Sequence, residues 1–170
     1  PDFSPVVPPR RQVAVVPKDI SQAHLCVGGI GIPYSDGRKH ALYVLNAILG
    51  GGMTSRLFQT IREQAGLAYA IYSDLDFYFD TGLFSVYAGT DPSDVPRVIE
   101  GIYQECARLR DDPISDSELQ DAKSQLTGGL LLSLESPSNV MNRLARSEMY
   151  LQEYETTEDS IASVQAVTRD

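Results

Sequence analysis

The sequence predicts an α+β fold, with a mixed, mainly antiparallel sheet and helices packed on one of its faces. Two observations predict it. Segments with strand-like alternation cluster in the first half of the chain, and segments with helical periodicity fill the second half. The chain has 170 residues, of which 42% are hydrophobic. That length is typical of a single domain that buries its own core, and no internal repeat is present.

Two strands and a helix are predicted before residue 50. Residues 11–17 and 21–32 are rich in β-branched and apolar side chains, and the second segment ends in glycines and a proline. Residues 38–49 have the apolar spacing of a helix with one buried face. The apolar positions are Ala41, Val44, Leu45, Ile48 and Leu49. The glycines Gly50, Gly51 and Gly52 then end the helix.

A second helix is predicted directly after this glycine run. Thr54 or Ser55 provides its N-terminal cap, and Gly66 stands where a left-handed C-terminal cap is expected. Its buried face is predicted to carry Leu57, Phe58, Ile61 and Ala65.

A β-hairpin follows the second helix. Residues 67–79 alternate between two faces, so Tyr69 and Ile71 are expected on the same face. Asp80-Thr81-Gly82 has the composition of a turn, and residues 83–90 return as the paired strand.

The second half of the chain reads as helices. One follows the hairpin, and Ser115 with Glu118 forms the capping-box pattern that opens the next. Pro137 favours a helix start, because proline is tolerated at the first helical position. Residues 158–167 are predicted to form a short last helix.

Composition excludes several classes of function. The net charge is −9 and the isoelectric point is about 4.6, so we expect no nucleic-acid partner, since phosphate binding needs a basic patch. No apolar run is long enough to span a membrane. The two cysteines, Cys26 and Cys106, have no disulfide-scaffold or zinc spacing and are expected to be buried free thiols. Such thiols favour a reducing compartment and a cytoplasmic location.

Both ends of the sequence suggest a piece of a longer chain. Residues 1–10 carry four prolines and no signal-peptide pattern, so we interpret them as a linker. The remaining residues, 11–170, are predicted to form the domain. Its last residues, Thr168 to Asp170, have the composition of a helix start rather than of a chain end.

A zinc site of the inverted helical type requires His-x-x-Glu-His, which places both imidazoles on one helix face. After His24 the glutamate and second histidine positions hold Val27 and Gly28. After His40 they likewise hold Tyr43 and Val44. We therefore expect no metal site or cofactor within this segment.

Three other patterns have ordinary structural explanations. Asp80-Thr81-Gly82 matches the local motif of aspartic peptidases but occurs once, where a turn explains it. Gly50, Gly51 and Gly52 precede a helix but lack the lysine of a phosphate loop, so close helix packing or passage beside a ligand is expected. Asp74 and Asp76 are expected on a solvated strand face.

One pair of side chains could take part in binding a substrate. Arg62 ends a predicted helix and Tyr69 begins a predicted strand, with Gly66 between them. Brought together, an arginine and a tyrosine hydroxyl could bind a peptide carbonyl group. From the residues alone, a surface arginine and a packed tyrosine explain the pair as well.

The segment from Leu45 to Tyr69, and above all the block from Gly50 to Tyr69, resembles the zinc-free C-terminal domain of the pitrilysin/insulinase family of zinc metallopeptidases. Bacterial members of this family are similar to mitochondrial processing peptidase. The resemblance continues through the hairpin and the Ser115 capping box, and it covers almost the whole chain. It implies a fold built like one half of a processing peptidase.

The resemblance also implies roles for particular residues. Tyr69 would stabilise the oxyanion, Arg62 and Tyr69 would bind the substrate backbone, and Gly50, Gly51 and Gly52 would line the chamber. Zinc would be held by the N-terminal domain or by a partner subunit. The implied partners are that homologous zinc-bearing domain, a peptide substrate and a second subunit in a dimer.

Two functions remain open at this point. The chain is predicted to be the substrate-binding, chamber-closing domain of a zinc metalloendopeptidase that hydrolyses peptides. The alternative is a non-catalytic, zinc-free partner, or a structural core-type subunit.

Overall fold

The computed structural model describes residues 12–169. Three strands and five α-helices form the framework. They are β1 (Ala23–Gly31), α1 (Lys39–Gly50), β2 (Ala68–Phe77), β3 (Gly82–Thr90), α2 (Val95–Asp111), α3 (Asp116–Ser133), α4 (Pro137–Leu151) and α5 (Thr157–Gln165). A π-helix, Phe58–Gln64, precedes β2, and a 3₁₀ turn, Pro92–Asp94, precedes α2.

The sheet has the order β1-β3-β2 and is antiparallel throughout the described residues. The predicted hairpin is present, and the Tyr78 N–H donates to the Thr81 carbonyl at 2.9 Å. Because β3 is central, β1 and β2 both present a free edge among residues 12–169. A free strand edge carries unpaired backbone groups that another extended chain can join.

The buried core of the described residues consists of two apolar clusters. The first contains Leu49, Leu57, Ile61, Ile71, Val86, Val98 and Ile102, and it joins the sheet to the π-helix and α2. The second contains Val44, Ile48, Leu119, Ala122 and Val164, and it joins α1 to α3 and α5. On the opposite face of β2, Tyr72 and Asp74 are exposed, so the α+β prediction with one-sided helices is confirmed.

Local signals placed several helix boundaries correctly. Ser115 and Glu118 form the predicted capping box, in which each side chain bonds the other's backbone N–H. Pro137 lies in the first turn of α4. The last helix, α5, begins one residue earlier than predicted and is capped by Thr156 and Asp159.

Other predictions were wrong. Residues 12–17 form no strand, and Val13, Val15 and Val16 are exposed, because no neighbouring strand pairs with them in the described chain. Cys26 is exposed on β1 and Cys106 is half-buried, so neither thiol is fully buried. The predicted linker, residues 1–10, and the first residue of the predicted strand, Arg11, lie outside the described residues.

Three side chains assigned to buried helix faces are exposed: Ala41 and Leu45 on α1, and Ala65 after the π-helix. The apolar stripe of α1 is therefore narrower than predicted, and it is centred on Val44, Ile48 and Leu49.

Candidate functional site

Arg62 lies on the π-helix with its side chain exposed. Its guanidinium carbon is 4.7 Å from the centre of the Phe58 ring, one turn earlier, and its Nε is 3.9 Å from the Glu63 carboxylate. A cation over an aromatic face is stabilised by the ring quadrupole. The ring therefore orients the guanidinium itself, and the side chain of Arg62 remains 42% exposed.

The helix that carries Arg62 was predicted to be an α-helix, and the structure corrects this to a π-helix. The Ala65 N–H donates to the Thr60 carbonyl at 3.1 Å, and the Leu67 N–H reaches back to the Ile61 carbonyl at 2.9 Å. The π-helix ends here because Gly66 adopts a φ of +62°, which glycine reaches without steric cost. This is the left-handed conformation predicted for Gly66. π-helices are rare and occur frequently at functional sites.

Tyr69 occupies a β-bulge at the start of β2. Ala68 lies opposite Thr90 and Ala70 lies opposite Gly89, so Tyr69 is the extra residue without a partner on β3. The bulge breaks the alternation, and the side chain of Tyr69 is exposed, at 59%, whereas that of Ile71 is buried. The predicted shared face was therefore wrong. β-Bulges commonly redirect a side chain beside an active site.

The Tyr69 hydroxyl has no hydrogen-bond partner among residues 12–169, and no hydrogen bond joins it to Arg62 there. The backbone below it is held firmly, because the Thr90 hydroxyl donates to the Leu67 carbonyl at 2.5 Å. Both predicted side chains are thus presented outward from an anchored segment. Within residues 12–169, neither side chain serves as a hydrogen-bond partner for the other.

The glycine run has two structural roles. A Cβ at Gly50 would lie 2.5 Å from the backbone nitrogen of Ser73, so only glycine allows α1 to approach β2 this closely. Beyond it, the Gly51 carbonyl accepts a hydrogen bond from the Gln125 amide at 2.9 Å. The Gly52 carbonyl accepts one from the Ser55 hydroxyl at 2.5 Å.

An open cavity of about 470 Å³ borders the glycine run. Its lining includes Gly50, Gly51, Gly52, Phe58, Tyr72 and Asp74. Phe58 belongs to this lining and also lies under Arg62. The structure thus connects Arg62 with the glycine run, while Tyr69 is outside the cavity lining. Sequence reasoning missed Phe58 as the support of Arg62, although the i, i+4 spacing could have revealed it.

The two histidines do not form a metal site. His24 Nδ1 lies 2.7 Å from the Tyr87 hydroxyl, and His40 Nε2 lies 3.0 Å from the Glu155 carboxylate. Within residues 12–169, no group of three or more His, Cys, Asp or Glu side chains could hold a metal ion. The described residues therefore do not fit a zinc site.

The acidic residues of the hairpin have ordinary roles. Asp74 and Asp76 are exposed, as predicted, and Asp74 accepts a hydrogen bond from the Leu75 N–H at 2.9 Å.

In the part of the chain that the structure describes, no helix is both long enough and apolar enough to cross a membrane.

Together these features define an α+β domain with exposed polar groups where a π-helix meets an edge strand. The chain belongs to the family described as the Peptidase M16 inactive domain, whose sequence model matches residues 1–126. This match confirms the predicted family.

Two bacterial proteins are among the relatives of this chain. The chain is 41% identical over 150 residues to a protein of Bacillus subtilis named "Uncharacterized zinc protease YmxG", covering 88% of this chain and 37% of that protein. It is 40% identical over 159 residues to a Streptomyces coelicolor protein named "Uncharacterized zinc protease SCO5738". That match covers 94% of this chain and 35% of the relative. The chain thus spans about a third of the length of these relatives.

Solved structures share the fold. A peptidase M16 inactive domain from Pseudomonas fluorescens superposes with a TM-score of 0.78 at 28% identity, covering 88% of this chain and 36% of that one. A chain of complex III2 from Candida albicans superposes with a TM-score of 0.80 at 17% identity. The match covers 90% of this chain and 39% of that one. The second likeness concerns the fold alone.

Proposed function

We propose that this chain is the substrate-binding, chamber-closing domain of a zinc metalloendopeptidase. The observation that carries the proposal is the exposed Tyr69 hydroxyl on its bulge, which has no partner among the described residues, in a segment shared with Arg62. The names of the bacterial relatives support a zinc peptidase as the parent protein. Zinc would be held by another domain of that protein or by a partner subunit.

In this proposal the chain binds an extended peptide along the β2 edge. Backbone groups of that edge pair with the substrate, as in other cases of strand addition. The Arg62 guanidinium donates to a substrate carbonyl, and its charge makes that hydrogen bond stronger than a neutral one. The glycine run lets the substrate pass close to the backbone.

Tyr69 has a separate role in the proposal. Its hydroxyl donates a hydrogen bond to the carbonyl oxygen that becomes negative when water adds to the scissile bond. A donor that is already oriented on an anchored bulge stabilises this charge without reorganising during the reaction. That residues 12–169 offer the Tyr69 hydroxyl no partner is consistent with a hydroxyl available to substrate.

The test is steady-state cleavage of a quenched fluorescent peptide by the full-length protein, with zinc measured by elemental analysis on each sample. Tyr69→Phe should lower kcat about 100–1,000-fold, the usual cost of one oxyanion donor, with zinc content unchanged. Tyr103→Phe is the matched control, because Tyr103 on α2 is similarly exposed, at 57%. It should cleave at the wild-type rate.

Two results would count against the proposal. An unchanged kcat in Tyr69→Phe would remove the role of Tyr69. A native protein with neither zinc nor peptidase activity would favour the non-catalytic partner subunit instead.

A further inference from the structure

A second cavity, of about 500 Å³, lies among α1, α3, α4 and α5 and shares no lining residue with the cavity beside the glycine run. Its charged lining residues are Lys39, Arg143, Arg146 and Glu155, an excess of two positive charges in a chain whose net charge is −9. Leu126, Leu130 and Val164 supply apolar wall. Its volume is in the range of small-molecule sites.

The only carboxylate in this lining is fully engaged. One Glu155 oxygen lies 2.9 Å from the Lys39 ammonium, and the other accepts from the Ser160 hydroxyl at 2.9 Å and lies 3.0 Å from His40 Nε2. Lys39 is only 6% exposed and also lies over the Tyr34 ring, 4.2 Å from its centre. The Lys39–Glu155 pair is therefore a fixed wall of the cavity.

Two hydrogen-bond donors of the cavity remain unused within residues 12–169. Ser147 is 2% exposed and its hydroxyl has no partner. The buried Nε of Arg143 also has none. Its Nη2 donates to the Glu155 and Thr156 carbonyls at 2.9 and 2.7 Å and to the Ser160 hydroxyl at 2.9 Å. Buried polar groups are rarely left unpaired, and each such group calls for an explanation.

These donors share one face of α4. Arg143 and Ser147 are four residues apart, so their side chains lie one above the other, and Arg146 lines the same cavity. All three can donate, and the two arginines are cations. Oxygen acceptors would satisfy these donors, and an anionic group would also offset the excess positive charge of the lining. The leucine and valine wall favours an apolar body behind those oxygens.

We propose that this cavity binds a carboxylate carried on a small apolar body. Two sources have this chemistry: a free small molecule, and an acidic side chain or chain terminus of the parent protein. The site is independent of the peptidase function proposed above.

The experiment is isothermal titration calorimetry of the full-length protein with N-acetyl-leucine, and with N-acetyl-leucinamide as the uncharged analogue. For a free ligand, the acid should bind and the amide should not. Ser147→Ala should weaken binding of the acid about tenfold, the value of a hydrogen bond to a charged group. Ser124→Ala, which changes an exposed serine of α3 outside the cavity, should bind like the wild type.

Thermal unfolding distinguishes the two sources. With a free ligand, Ser147→Ala should not lower the Tm of the ligand-free protein, because the hydroxyl has no partner within residues 12–169. If the parent chain supplies the carboxylate, the acid should not bind, and Ser147→Ala should lower the Tm while Ser124→Ala does not. The proposal is overturned if the acid does not bind and both variants keep the wild-type Tm, or if acid and amide bind equally.

Discussion

The guanidinium of Arg62 lies over the ring of Phe58, 4.7 Å from its centre, and the same ring lines the cavity beside Gly50, Gly51 and Gly52. Phe58 thus contacts the arginine and also forms part of the cavity wall. The interaction is worth about 0.5–1 kcal/mol at an exposed site, enough to orient a side chain but not to immobilise it.

The first prediction concerns Arg62 in the full-length protein. Arg62→Gln should lower kcat/KM for peptide cleavage about tenfold or more, because a charged hydrogen bond to the substrate is lost. Phe58→Leu should give a smaller loss of roughly 2–5-fold, because it removes only the ring that orients Arg62. Arg97→Gln, at an exposed arginine of α2, should retain wild-type kinetics. Equal losses in the Phe58 and Arg97 variants would contradict the orienting role.

The second prediction concerns Gly50. Gly50→Ala places a methyl group 2.5 Å from the Ser73 nitrogen, so α1 and β2 must separate, and we expect a loss of about 1–3 kcal/mol in the free energy of unfolding. Gly129→Ala is the control, because Gly129 lies within α3 with open space around it. In that variant the free energy of unfolding should rise by about 0.5–1 kcal/mol, because alanine has the higher helix propensity. Urea denaturation followed by circular dichroism measures both, and similar shifts would refute the packing argument.

Some of this structure could be predicted because the information is local. The Ser115–Glu118 capping box, the left-handed Gly66 and the turn before Gly82 each depend on a few adjacent residues. Such signals act through backbone hydrogen bonds and steric limits that do not depend on the rest of the fold.

Other parts could not be predicted, because they arise from contacts between distant segments. Tyr69 was assigned to the wrong face because a bulge depends on the register against β3, which strand periodicity does not contain. The pairing of Lys39 with Glu155 joins residues 116 positions apart, and the cavity around them had no sequence signal. The roles of Arg62 and Tyr69 came from family resemblance, and they stay predictions.

The third prediction concerns acid stability. Hydrogen bonding to His40, reinforced by Lys39 and Ser160, holds the pKa of Glu155 well below its ordinary value of 4.5. Below about pH 4.5 the unfolded chain therefore takes up a proton at this position that the folded chain does not, and the free energy of unfolding falls as the pH falls. The stabilisation is complete above that pH and is lost as the pH drops through the folded pKa.

Glu155→Gln should thus be less stable than the wild type at neutral pH and lose less stability on acidification. The pKa of Glu118 is lowered to about 2, chiefly by its hydrogen bond to Arg56. Its contribution to the free energy of unfolding should therefore also fall as the pH falls. The double variant Glu118→Gln/Glu155→Gln should show a still flatter dependence. Urea denaturation between about pH 7 and pH 3 tests this, and a Glu155→Gln slope as steep as that of the wild type would show that Glu155 is not responsible.

The fourth prediction concerns Gly66, which links the helix of Arg62 to the bulge of Tyr69. Its φ of +62° places an L side chain in the left-handed region, so Gly66→Ala should cost about 1–2 kcal/mol of folding stability. Gly66→Asn should cost less, since asparagine tolerates this conformation better. If the bulge and the π-helix end depend on this residue, Gly66→Ala should also reduce kcat in the full-length protein. The asparagine variant should keep most of it, and equal kcat values in the two variants would mean that Gly66 contributes to folding alone.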